Sequence, residues 1–447
     1  MQQIEYSRVL VIGLGSSGVA AAKLAACDGA EVVVTDHRSS TELGEALATL
    51  PANTPAFLGA HPESCLADID LVVLSPGVAA DLPLVETARG RGIDILSELE
   101  FAWRHRADAP LIAVTGSNGK STVTTLTAAI LQASGRNTVA GGNLGPPASQ
   151  LVLEGGWDSW VLEISSFQSE TFVALRPQVG VFLNLSQDHL ERHPDMAAYA
   201  KAKSCLFASQ TTDDTIIVNA DDPLVAATVT AARMRSFSVK NEADAFLDGD
   251  TLRLYGEDLM NRSEIGLAGQ HNVANVLAAA LAASELGADT QAGRTAVTAF
   301  SGLPHRHRVV HESGGVRWID DSKATNVGAA LAALSGYPEN SVHIILGGLG
   351  KGQDFTPLAA AVAAAAARVY LIGADGPEIG RVLVGAAPCE DAKTLERAVE
   401  SARKRATTGQ YVILAPACAS FDQFLNYPAR GDRFSALARA EEPRSCP

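Results

Sequence analysis

Residues 109–122 read APLIAVTGSNGKST, an apolar strand followed by a glycine-containing loop and the start of a helix. A strand, loop and helix in this order direct backbone N–H groups and the positive end of the helix dipole at one point, where phosphates bind. Lys120 can reach the β- and γ-phosphates of a nucleotide, and the hydroxyl of Ser121 or Thr122 can bind Mg²⁺. The stretch therefore predicts an ATP site on an α/β fold.

The loop departs from the common G-x-x-x-x-G-K-[ST] pattern at one position, because Val114 stands where the first glycine is expected. A Gly-Lys-Ser turn that binds no nucleotide is the alternative. The preceding strand and the following helix favour the phosphate site. The residues predicted to contact ATP here are Gly116, Ser117, Asn118, Gly119, Lys120, Ser121 and Thr122.

Strand-like apolar runs alternate with helix-like stretches along nearly the whole chain, which is typical of parallel α/β sheets. The 447 residues are enough for about three domains of ordinary size. We predict domains at residues 1–97, 98–303 and 304–447. Ligands of such sheets bind beyond the carboxyl ends of the strands. Polar residues follow many of the predicted strands, including Asp36, Ser75, Glu163, Asp188 and Ser420.

Composition excludes several classes of protein. The formal net charge of −15 argues against a broad nucleic-acid surface. Six cysteines without a CxxC pair indicate reduced thiols in a cytosolic chain and not a disulfide framework or zinc site. No signal-peptide pattern opens the chain, and the longest apolar run, 358–367, is too short to span a bilayer. We expect a cytoplasmic protein that binds neither membrane nor nucleic acid.

A second glycine motif, GLGSSG at 13–18, follows the first strand, and Asp36 ends the next one. This pattern is typical of dinucleotide sites, in which the glycines admit a diphosphate and the acid binds a ribose hydroxyl. Any nucleoside diphosphate fits the same geometry, and some such loops only let a helix pack on a sheet. The motif alone leaves these alternatives open, with a diphosphate favoured over NAD.

The chain resembles the Mur ligases, and among them those that add D-glutamate. The resemblance covers nearly the whole chain and keeps the order of the motifs, and this family has the same shortened phosphate loop. The motifs are TGSNGKSTVTT (115–125), GGNLG (141–145), LEISSFQ (162–168), DH (188–189), YAKAK (199–203), GQHNVANVLAA (269–279), PHRHR (304–308), DDSKATN (320–326), LGGLGKGQD (346–354) and APACASFDQF (415–424).

The resemblance implies a Rossmann-like N-terminal domain for a UDP-linked substrate, a central P-loop ATPase domain and a Rossmann-like C-terminal domain for the amino acid. The implied reaction begins with phosphoryl transfer from ATP to the carboxylate of UDP-N-acetylmuramoyl-L-alanine. The amino group of glutamate then attacks the acyl phosphate. The residues implied for the UDP-linked substrate are Gly15, Ser17, Asp36, Arg38, Ser75, Gly77 and Asn143.

Two Mg²⁺ ions are implied as cofactors, one held by Ser121 and Glu163 and the other by His189 together with a carbamate formed from CO₂ on Lys203. From the residues alone, the alternative for Glu163 is a packing or capping carboxylate, and a lone histidine such as His189 is more often a hydrogen-bonding loop residue. Lys201 is the alternative to Lys203, and either is otherwise a surface lysine. The implied catalytic residues are Lys120, Glu163, His189, Lys203 and Lys323.

The resemblance also assigns residues to the nucleotide and to glutamate. Leu349 departs from the family, which commonly has Asp there, and this leaves open how Lys351 is held and whether the D-isomer is required. The further ATP residues are His271, Asn272, Asn275, Arg306 and Asp321, and the glutamate residues are Thr325, Lys351, Ser420, Phe421 and Tyr427.

Three other functions compete with this interpretation. A related ligase would use L-glutamate or another amino acid. A nucleotide switch would bind ATP without substrate-dependent turnover, and an NAD-dependent oxidoreductase is supported only by the motif at 13–18. We expect a monomer whose partners are ATP, glutamate and the UDP-linked precursor.

Overall fold

The computed structural model describes residues 6–186, 195–267 and 269–440. These form two compact units. The first extends to residue 184 and also contains 199–261 and 275–297; the second contains the described parts of 185–198, 262–274 and 298–447. The predicted α/β class is confirmed, because parallel strands flanked by helices make up most of three sheets.

The first sheet has five parallel strands in the order β3-β2-β1-β4-β5. Its strands are continuous apolar runs because both faces are covered. The strands are β1 Arg8–Ile12, β2 Glu31–Asp36, β3 Ala56–Leu58, β4 Leu71–Leu74 and β5 Asp94–Ser97. The helices are α1 Ser16–Cys27, α2 Gly44–Ala48, α3 Pro83–Gly90 and α4 Glu98–Arg104.

The second sheet has nine strands in the order β14-β13-β12-β11-β10-β9-β6-β8-β7. The strands are β6 Leu111–Thr115, β7 Thr138–Gly142, β8 Ser159–Glu163, β9 Val179–Phe182, β10 Thr215–Asn219, β11 Arg233–Ser238, β12 Ala245–Asp248, β13 Thr251–Leu254 and β14 Glu257–Asn261. The helices are α5 Lys120–Ala133, α6 Ala148–Glu154, α7 Ser166–Ser169, α8 Met196–Ser204, α9 Pro223–Ala226, α10 Gln270–Ser284 and α11 Thr290–Ala299.

Two features of the second sheet differ from the sequence-based expectation of parallel strands. β12, β13 and β14 pair antiparallel through tight turns at Gly249 and at Tyr255-Gly256, where the backbone φ is positive. Such two-residue turns connect antiparallel strands. The segment after Glu163 is not a continued strand, because Ser165 and Gln168 form a capping box that starts α7.

The third sheet has six strands in the order β15-β16-β20-β17-β18-β19, parallel except for the β15–β16 hairpin. The strands are β15 Arg308–Ser313, β16 Val316–Asp320, β17 Val342–Gly347, β18 Ala366–Ile372, β19 Cys389–Lys393 and β20 Tyr411–Leu414. The helices are α12 Val327–Leu334, α13 Leu358–Ala365, α14 Gly376–Val382, α15 Leu395–Arg405 and α16 Tyr427–Arg439.

Each sheet is lined by buried hydrophobic residues, and those of the third sheet form two separate clusters that contain both aliphatic and aromatic side chains. Within the described ranges, no helix is long and apolar enough to cross a membrane. Five cysteines lie in these ranges and all are free thiols.

Candidate active site

The phosphate loop between β6 and α5 requires glycine at two positions. Gly116 has φ +147°, and a Cβ there would lie 3.0 Å from the Cβ of Leu183. Gly119 has φ +85°, and a Cβ there would lie 2.4 Å from Asn275 Oδ1. Lys120 Nζ donates to the carbonyl oxygens of Gly116 and Ser117, both at 2.8 Å. The lysine therefore lies over the loop, at the start of α5, where an anion would meet its charge.

Three polar side chains converge beside this loop. The Ser121 hydroxyl donates to Glu163 Oε2, and Asn143 Nδ2 donates to Glu163 Oε1 at 2.7 Å. Glu163 is buried at the carboxyl end of β8. The predicted metal pair, Ser121 and Glu163, is thus brought together with Asn143. Among the described residues no group of three or more His, Cys, Asp or Glu side chains forms a metal site. A hydroxyl and a carboxylate remain a fitting pair for Mg²⁺, which keeps water and phosphate as its other ligands.

Helix α8 brings a lysine to the same compact unit. The Tyr199 hydroxyl lies 3.5 Å from the Ser117 hydroxyl, and Lys203 Nζ lies 4.6 Å from the centroid of the Tyr199 ring. Lys203 is 1 % exposed, whereas Lys201 is at the surface. The two lysines that the YAKAK motif offers are therefore distinguished by burial, and only Lys203 is enclosed. His189 lies outside the described residues.

The first glycine motif forms a tight turn between β1 and α1. A Cβ on Gly18 would lie 1.8 Å from the carbonyl oxygen of Gly13, so only glycine lets α1 approach this closely. The Ser75 hydroxyl donates to the same Gly13 oxygen at 2.7 Å. The loop after β4 is thereby tied to the glycine turn.

Asp36, at the end of β2, has both carboxylate oxygens occupied. Oδ2 accepts the Leu14 N–H at 2.7 Å and Arg38 Nη2 at 2.8 Å, and Oδ1 accepts the Arg38 N–H and Nε at 2.9 and 3.0 Å. Burial opposes the charged form, but the hydrogen bonds from Arg38 and Leu14 hold the pKa of Asp36 well below its usual range. In a dinucleotide site this acid would bind a ribose hydroxyl; here it orients Arg38.

A cavity of about 720 Å³ extends from the glycine turn to Asn143, which donates to Glu163. Its wall includes Arg38, which follows β2, and His61, which follows β3. Asn143 and Gln168, which lie after strands of the second sheet, form another part of the wall. All the residues predicted for the UDP-linked substrate line this one cavity: Gly15, Ser17, Asp36, Arg38, Ser75, Gly77 and Asn143.

Two buried carboxylates on α4 bind backbone N–H groups on the other side of the cavity. Glu98 Oε1 accepts the Ser149 N–H at 2.7 Å, in the first turn of α6. Glu100 accepts the N–H groups of Val173 and Ala174 at 2.6 and 2.9 Å. Because α6 directly follows the loop that carries Asn143, these carboxylates help to fix that wall. Neither Glu98 nor Glu100 belongs to a motif that the sequence analysis identified.

Burial raises the pKa of Glu98 to about 7, which predicts a pH-dependent stability. A raised pKa means that the protonated form contributes stability below the unfolded-state pKa, and that this contribution is lost as pH rises through about 7. Glu98→Gln keeps the acceptor for Ser149 and carries no charge. We expect its free energy of unfolding, relative to the native protein, to increase by up to ~3 kcal/mol between pH 4.5 and 7.5. Urea unfolding across this range measures it.

The matched control for this prediction is Glu154→Gln, since Glu154 is exposed at the end of the same α6. The substitution is at the surface, so its effect on the free energy of unfolding should stay within about 0.5 kcal/mol. A stability difference between Glu98→Gln and the native protein that does not change between pH 4.5 and 7.5 would contradict the prediction.

In the second compact unit, the PHRHR loop positions two neighbouring acids. His305 Nδ1 lies 2.7 Å from Asp320 Oδ2, and His307 Nδ1 lies 3.3 Å from Asp321 Oδ2. His271, at the start of α10, packs edge-on against His307 with ring centroids 6.3 Å apart. Burial, and then the neighbouring His307, lower the pKa of His271 to about 4. A neutral imidazole there can hydrogen-bond a base or ribose but carries no charge for phosphates.

The other predicted nucleotide residues lie on the same elements. Asn272 and Asn275 are buried one and four residues further along α10 than His271. Arg306 lies in the loop before β15, between the two histidines.

Four of the predicted glutamate residues, Thr325, Lys351, Ser420 and Phe421, lie on loops at the carboxyl ends of β16, β17 and β20, and the fifth, Tyr427, is the first residue of α16. Lys323 Nζ lies 4.2 Å from the centroid of the Tyr427 ring. Thr325 follows in the same loop, with its N–H bonded to the Lys323 oxygen at 2.8 Å. After β20, Ser420 is buried and the Phe421 side chain is 66 % exposed.

The loop with the unusual Leu349 is held by backbone bonds and by a distant acid. Leu349 and Ala419 exchange N–H···O bonds of 2.9 Å. Gly350 N–H donates to Asp375 Oδ2 at 2.6 Å, and Lys351 follows with φ +55°. A carboxylate therefore reaches this loop from the end of β18, although position 349 has none. The sequence analysis missed Asp375, because the contact joins residues far apart in the chain.

Buried Arg430 on α16 is a second residue that the sequence analysis missed. Its Nη2 donates to the carbonyl oxygens of Ser322 and Cys418 at 2.9 and 3.1 Å, and its Nε to Ser322 Oγ at 3.0 Å. It thus links the DDSKATN loop to the APACAS loop, which carry the predicted ATP and glutamate residues.

Three family models match the chain in the order of its sheets. They are the MurD-like N-terminal domain of Mur ligases over residues 7–97, the Mur ligase middle domain over 114–283 and the glutamate ligase domain of Mur ligases over 305–418. The chain belongs to the Mur ligase family. The predicted resemblance and the predicted three-domain α/β architecture are thereby confirmed.

Named relatives of this Mur ligase match over almost its full length. The UDP-N-acetylmuramoylalanine–D-glutamate ligase of Anaeromyxobacter dehalogenans is 41 % identical, with 98 % of each chain covered. That of Acidobacterium capsulatum is 42 % identical over 98 % of this chain and 97 % of its own. Among solved structures, UDP-N-acetylmuramate–alanine ligase from Thermotoga maritima gives a TM-score of 0.61 at 20 % identity, covering 97 % of this chain and 99 % of that one. The last likeness concerns the fold alone.

Proposed function

We propose that this Mur ligase joins D-glutamate to UDP-N-acetylmuramoyl-L-alanine at the expense of ATP, in the synthesis of a peptidoglycan precursor. The observation that carries the proposal is the position of Asn143. Its side chain lines the cavity beside the glycine turn and donates to Glu163, which accepts the Ser121 hydroxyl of the phosphate loop. A nucleotide-linked substrate in the cavity and ATP on the loop would meet there. The names of the relatives support D-glutamate as the amino acid.

The first chemical step is transfer of the γ-phosphoryl group of ATP to the substrate carboxylate. Two anions must approach each other, so the site has to supply positive charge. Lys120, which lies over the loop, balances the β- and γ-phosphates. Ser121 and Glu163 hold Mg²⁺, which screens the phosphates and the carboxylate when bound.

Buried Lys203 serves the same step in a modified form. A buried charge of either sign is costly unless it is paired, and a carbamate formed with CO₂ would turn the side chain into a carboxylate-like ligand that is paired with the metal. The 1 % exposure of Lys203 and its place on α8 beside Tyr199 support this role. We assign the second Mg²⁺ to this carbamate and His189.

The second step is attack of the glutamate amino group on the acyl phosphate, with release of phosphate. A carboxylate is a poor acylating agent, and phosphorylation supplies the leaving group. We assign glutamate to Thr325, Lys351, Ser420, Phe421 and Tyr427, because a lysine suits a free carboxylate. Lys323, above the Tyr427 ring, is assigned to the phosphates. Asp321 binds ATP together with His271, Asn272, Asn275 and Arg306.

Three further assignments belong to this proposal. We place domain boundaries after residues 97 and 303. We also propose that the enzyme acts as a monomer in the cytoplasm, where ATP and UDP-linked precursors are made, without nucleic-acid or membrane partners.

The test is ADP release by the purified protein with UDP-N-acetylmuramoyl-L-alanine and D-glutamate, L-glutamate or no amino acid. We expect release that depends on D-glutamate. Dependence on L-glutamate would keep the ligase and point to the Leu349 loop as the altered pocket. ATP binding without turnover under any of these conditions would favour a nucleotide switch.

A further inference from the structure

The two adjacent acids at the carboxyl end of β16 differ in how they are held. Asp320 is enclosed: its Oδ1 accepts the Ser322 N–H at 3.0 Å, and its Oδ2 lies 2.7 Å from His305 Nδ1. The side chain of Asp321 is 15 % exposed, against 2 % for Asp320. Within the described ranges, the one side chain that hydrogen-bonds the Asp321 carboxylate is His307, at Oδ2. Asp321 is therefore the acid that can receive a ligand, and His307 is the side chain that orients it.

Tyr337 holds the other edge of the His307 ring. It follows α12, and its hydroxyl lies 2.8 Å from His307 Nε2. The Tyr337 ring packs edge-on against Tyr411, the first residue of β20, with ring centroids 4.7 Å apart. It also packs against one of the two buried clusters of the third sheet. The His307 ring is thus hydrogen-bonded at both nitrogens, by an acid on one side and by a well-packed phenol on the other.

The directions of these hydrogen bonds follow from what each group can donate. An ionised carboxylate only accepts, so Nδ1 of His307 carries a hydrogen and donates to Asp321. In the neutral ring Nε2 then has a lone pair, and the Tyr337 hydroxyl donates to it. Burial, followed by the neighbouring Tyr411 and Asp321, raises the pKa of Tyr337, so this hydroxyl keeps its hydrogen. The three side chains form a chain of hydrogen bonds from the buried sheet to a partly exposed carboxylate.

We propose that His307 and Tyr337 are positioning residues, which hold the Asp321 carboxylate in the orientation that binds ATP. Neither belongs to the residues assigned to the nucleotide, and neither has to touch it. A carboxylate that is oriented before the ligand arrives loses less conformational entropy on binding, so the nucleotide binds more tightly. The inference rests on the proposed function, in which Asp321 binds ATP.

The test is calorimetric titration of the full-length protein with the magnesium complex of AMP-PNP, an analogue of ATP. Tyr337→Phe should weaken AMP-PNP binding about fivefold, as expected for the loss of one neutral hydrogen bond. In the ADP-release assay the KM for ATP should rise by the same factor. The kcat and the KM for D-glutamate should stay within about twofold of native, because the lost interaction affects ground-state and transition-state binding of the nucleotide alike.

Two substitutions of His307 separate its hydrogen bond from its bulk. His307→Leu and His307→Asn both remove the ring and its edge-on contact with His271, but only asparagine keeps an N–H donor near the position of Nδ1. His307→Leu should weaken AMP-PNP binding about tenfold, because a hydrogen bond to a charged group is lost, and His307→Asn should stay within about threefold of native. Equal losses in the two variants would overturn the positioning role of His307.

A double-mutant cycle tests whether Tyr337 acts through Asp321. Asp321→Ala alone should weaken AMP-PNP binding by at least about tenfold. In the Asp321→Ala background, Tyr337→Phe should change the affinity by less than about twofold, because the carboxylate that it positions is gone. A fivefold loss in both backgrounds would show that Tyr337 acts by another route and would overturn the inference.

The matched control is Tyr370→Phe, which breaks a second tyrosine–histidine pair in the same sheet. The Tyr370 hydroxyl lies 2.9 Å from His343 Nδ1, and both residues are buried. This variant should bind AMP-PNP as the native protein does, even if it melts at a lower temperature. A loss of affinity as large as that of Tyr337→Phe would assign the effect to general destabilisation and overturn the inference.

The outcomes also distinguish this inference from the proposed function. Native affinity in Asp321→Ala, or no AMP-PNP binding by the native protein, would overturn the proposed ATP contacts and this inference with them. Weak binding by Asp321→Ala together with native binding by Tyr337→Phe and His307→Leu would overturn the inference alone and leave the ATP site intact.

Discussion

Lys120→Ala is expected to reduce the rate of ADP release by a thousandfold or more. In the structure the Lys120 ammonium group lies over the phosphate loop, 2.8 Å from the oxygens of Gly116 and Ser117. Lys120 places a positive charge directly on the phosphate loop. Phosphoryl transfer to a carboxylate brings two anions together at this point. Loss of a preorganised charge at a developing anion costs about 4 kcal/mol in the activation free energy, which is roughly a factor of a thousand.

The measurement is steady-state ADP release at saturating ATP, UDP-N-acetylmuramoyl-L-alanine and D-glutamate. Lys201→Ala is the matched control, because Lys201 is exposed on α8 and should retain native activity. UDP binding by Lys120→Ala should also be native, since the glycine-turn cavity does not include this residue. Activity within tenfold of the native rate would defeat the assignment of the phosphate loop to ATP.

Lys203→Ala should lose activity to a similar extent and should recover part of it when formate or acetate is added. The substitution removes the side chain on which the carbamate is proposed to form and leaves space in a buried site, because Lys203 is only 1 % exposed. A small carboxylate can occupy that space and restore the missing negative ligand. The measurement is ADP release by the variant as the concentration of added carboxylate increases.

The control for rescue is Lys120→Ala, where a carboxylate cannot replace a lost cation and should restore nothing. The native enzyme should also lose activity in buffer depleted of CO₂ and regain it with bicarbonate. An active Lys203→Ala variant would reject carbamylation at this position. An inactive variant that no carboxylate restores, together with a native enzyme indifferent to CO₂, would point to an ammonium role for this lysine.

Much of the fold follows from local patterns in the sequence. Buried parallel strands are short continuous apolar runs, as in RVLVI of β1 and VHIILG of β17, and the intervening helices show where the chain crosses over. The antiparallel hairpins β12–β13 and β13–β14 were not predicted from the sequence, because their strands contain only four or five residues of mixed polarity. Such strands depend on pairing with a neighbour more than on their own composition.

The candidate site also contains residues that the sequence predicts and residues that it does not. Motif residues that act beside their own strand, such as Ser121 after β6 and Glu163 at the end of β8, were predictable from position, and the structure brings them together. The occupation of Asp36 by Leu14 and Arg38 was not predictable, because the motif specifies the acid and not the competing donors. The carboxylate of Glu98 was also missed, since its burial depends on the packing of α4 against α6, about 50 residues further along the chain.

Asn143 links the glycine-turn cavity to the proposed metal site through one hydrogen bond. Its amide lines the cavity and is bonded to Glu163, so a ligand that shifts this amide also changes the electrostatic environment of the proposed metal site. Linkage is reciprocal: if occupation of the cavity strengthens the binding of magnesium nucleotide, then magnesium nucleotide strengthens occupation of the cavity by the same factor. The affinity of an inhibitor directed at the cavity would then depend on the concentration of magnesium nucleotide.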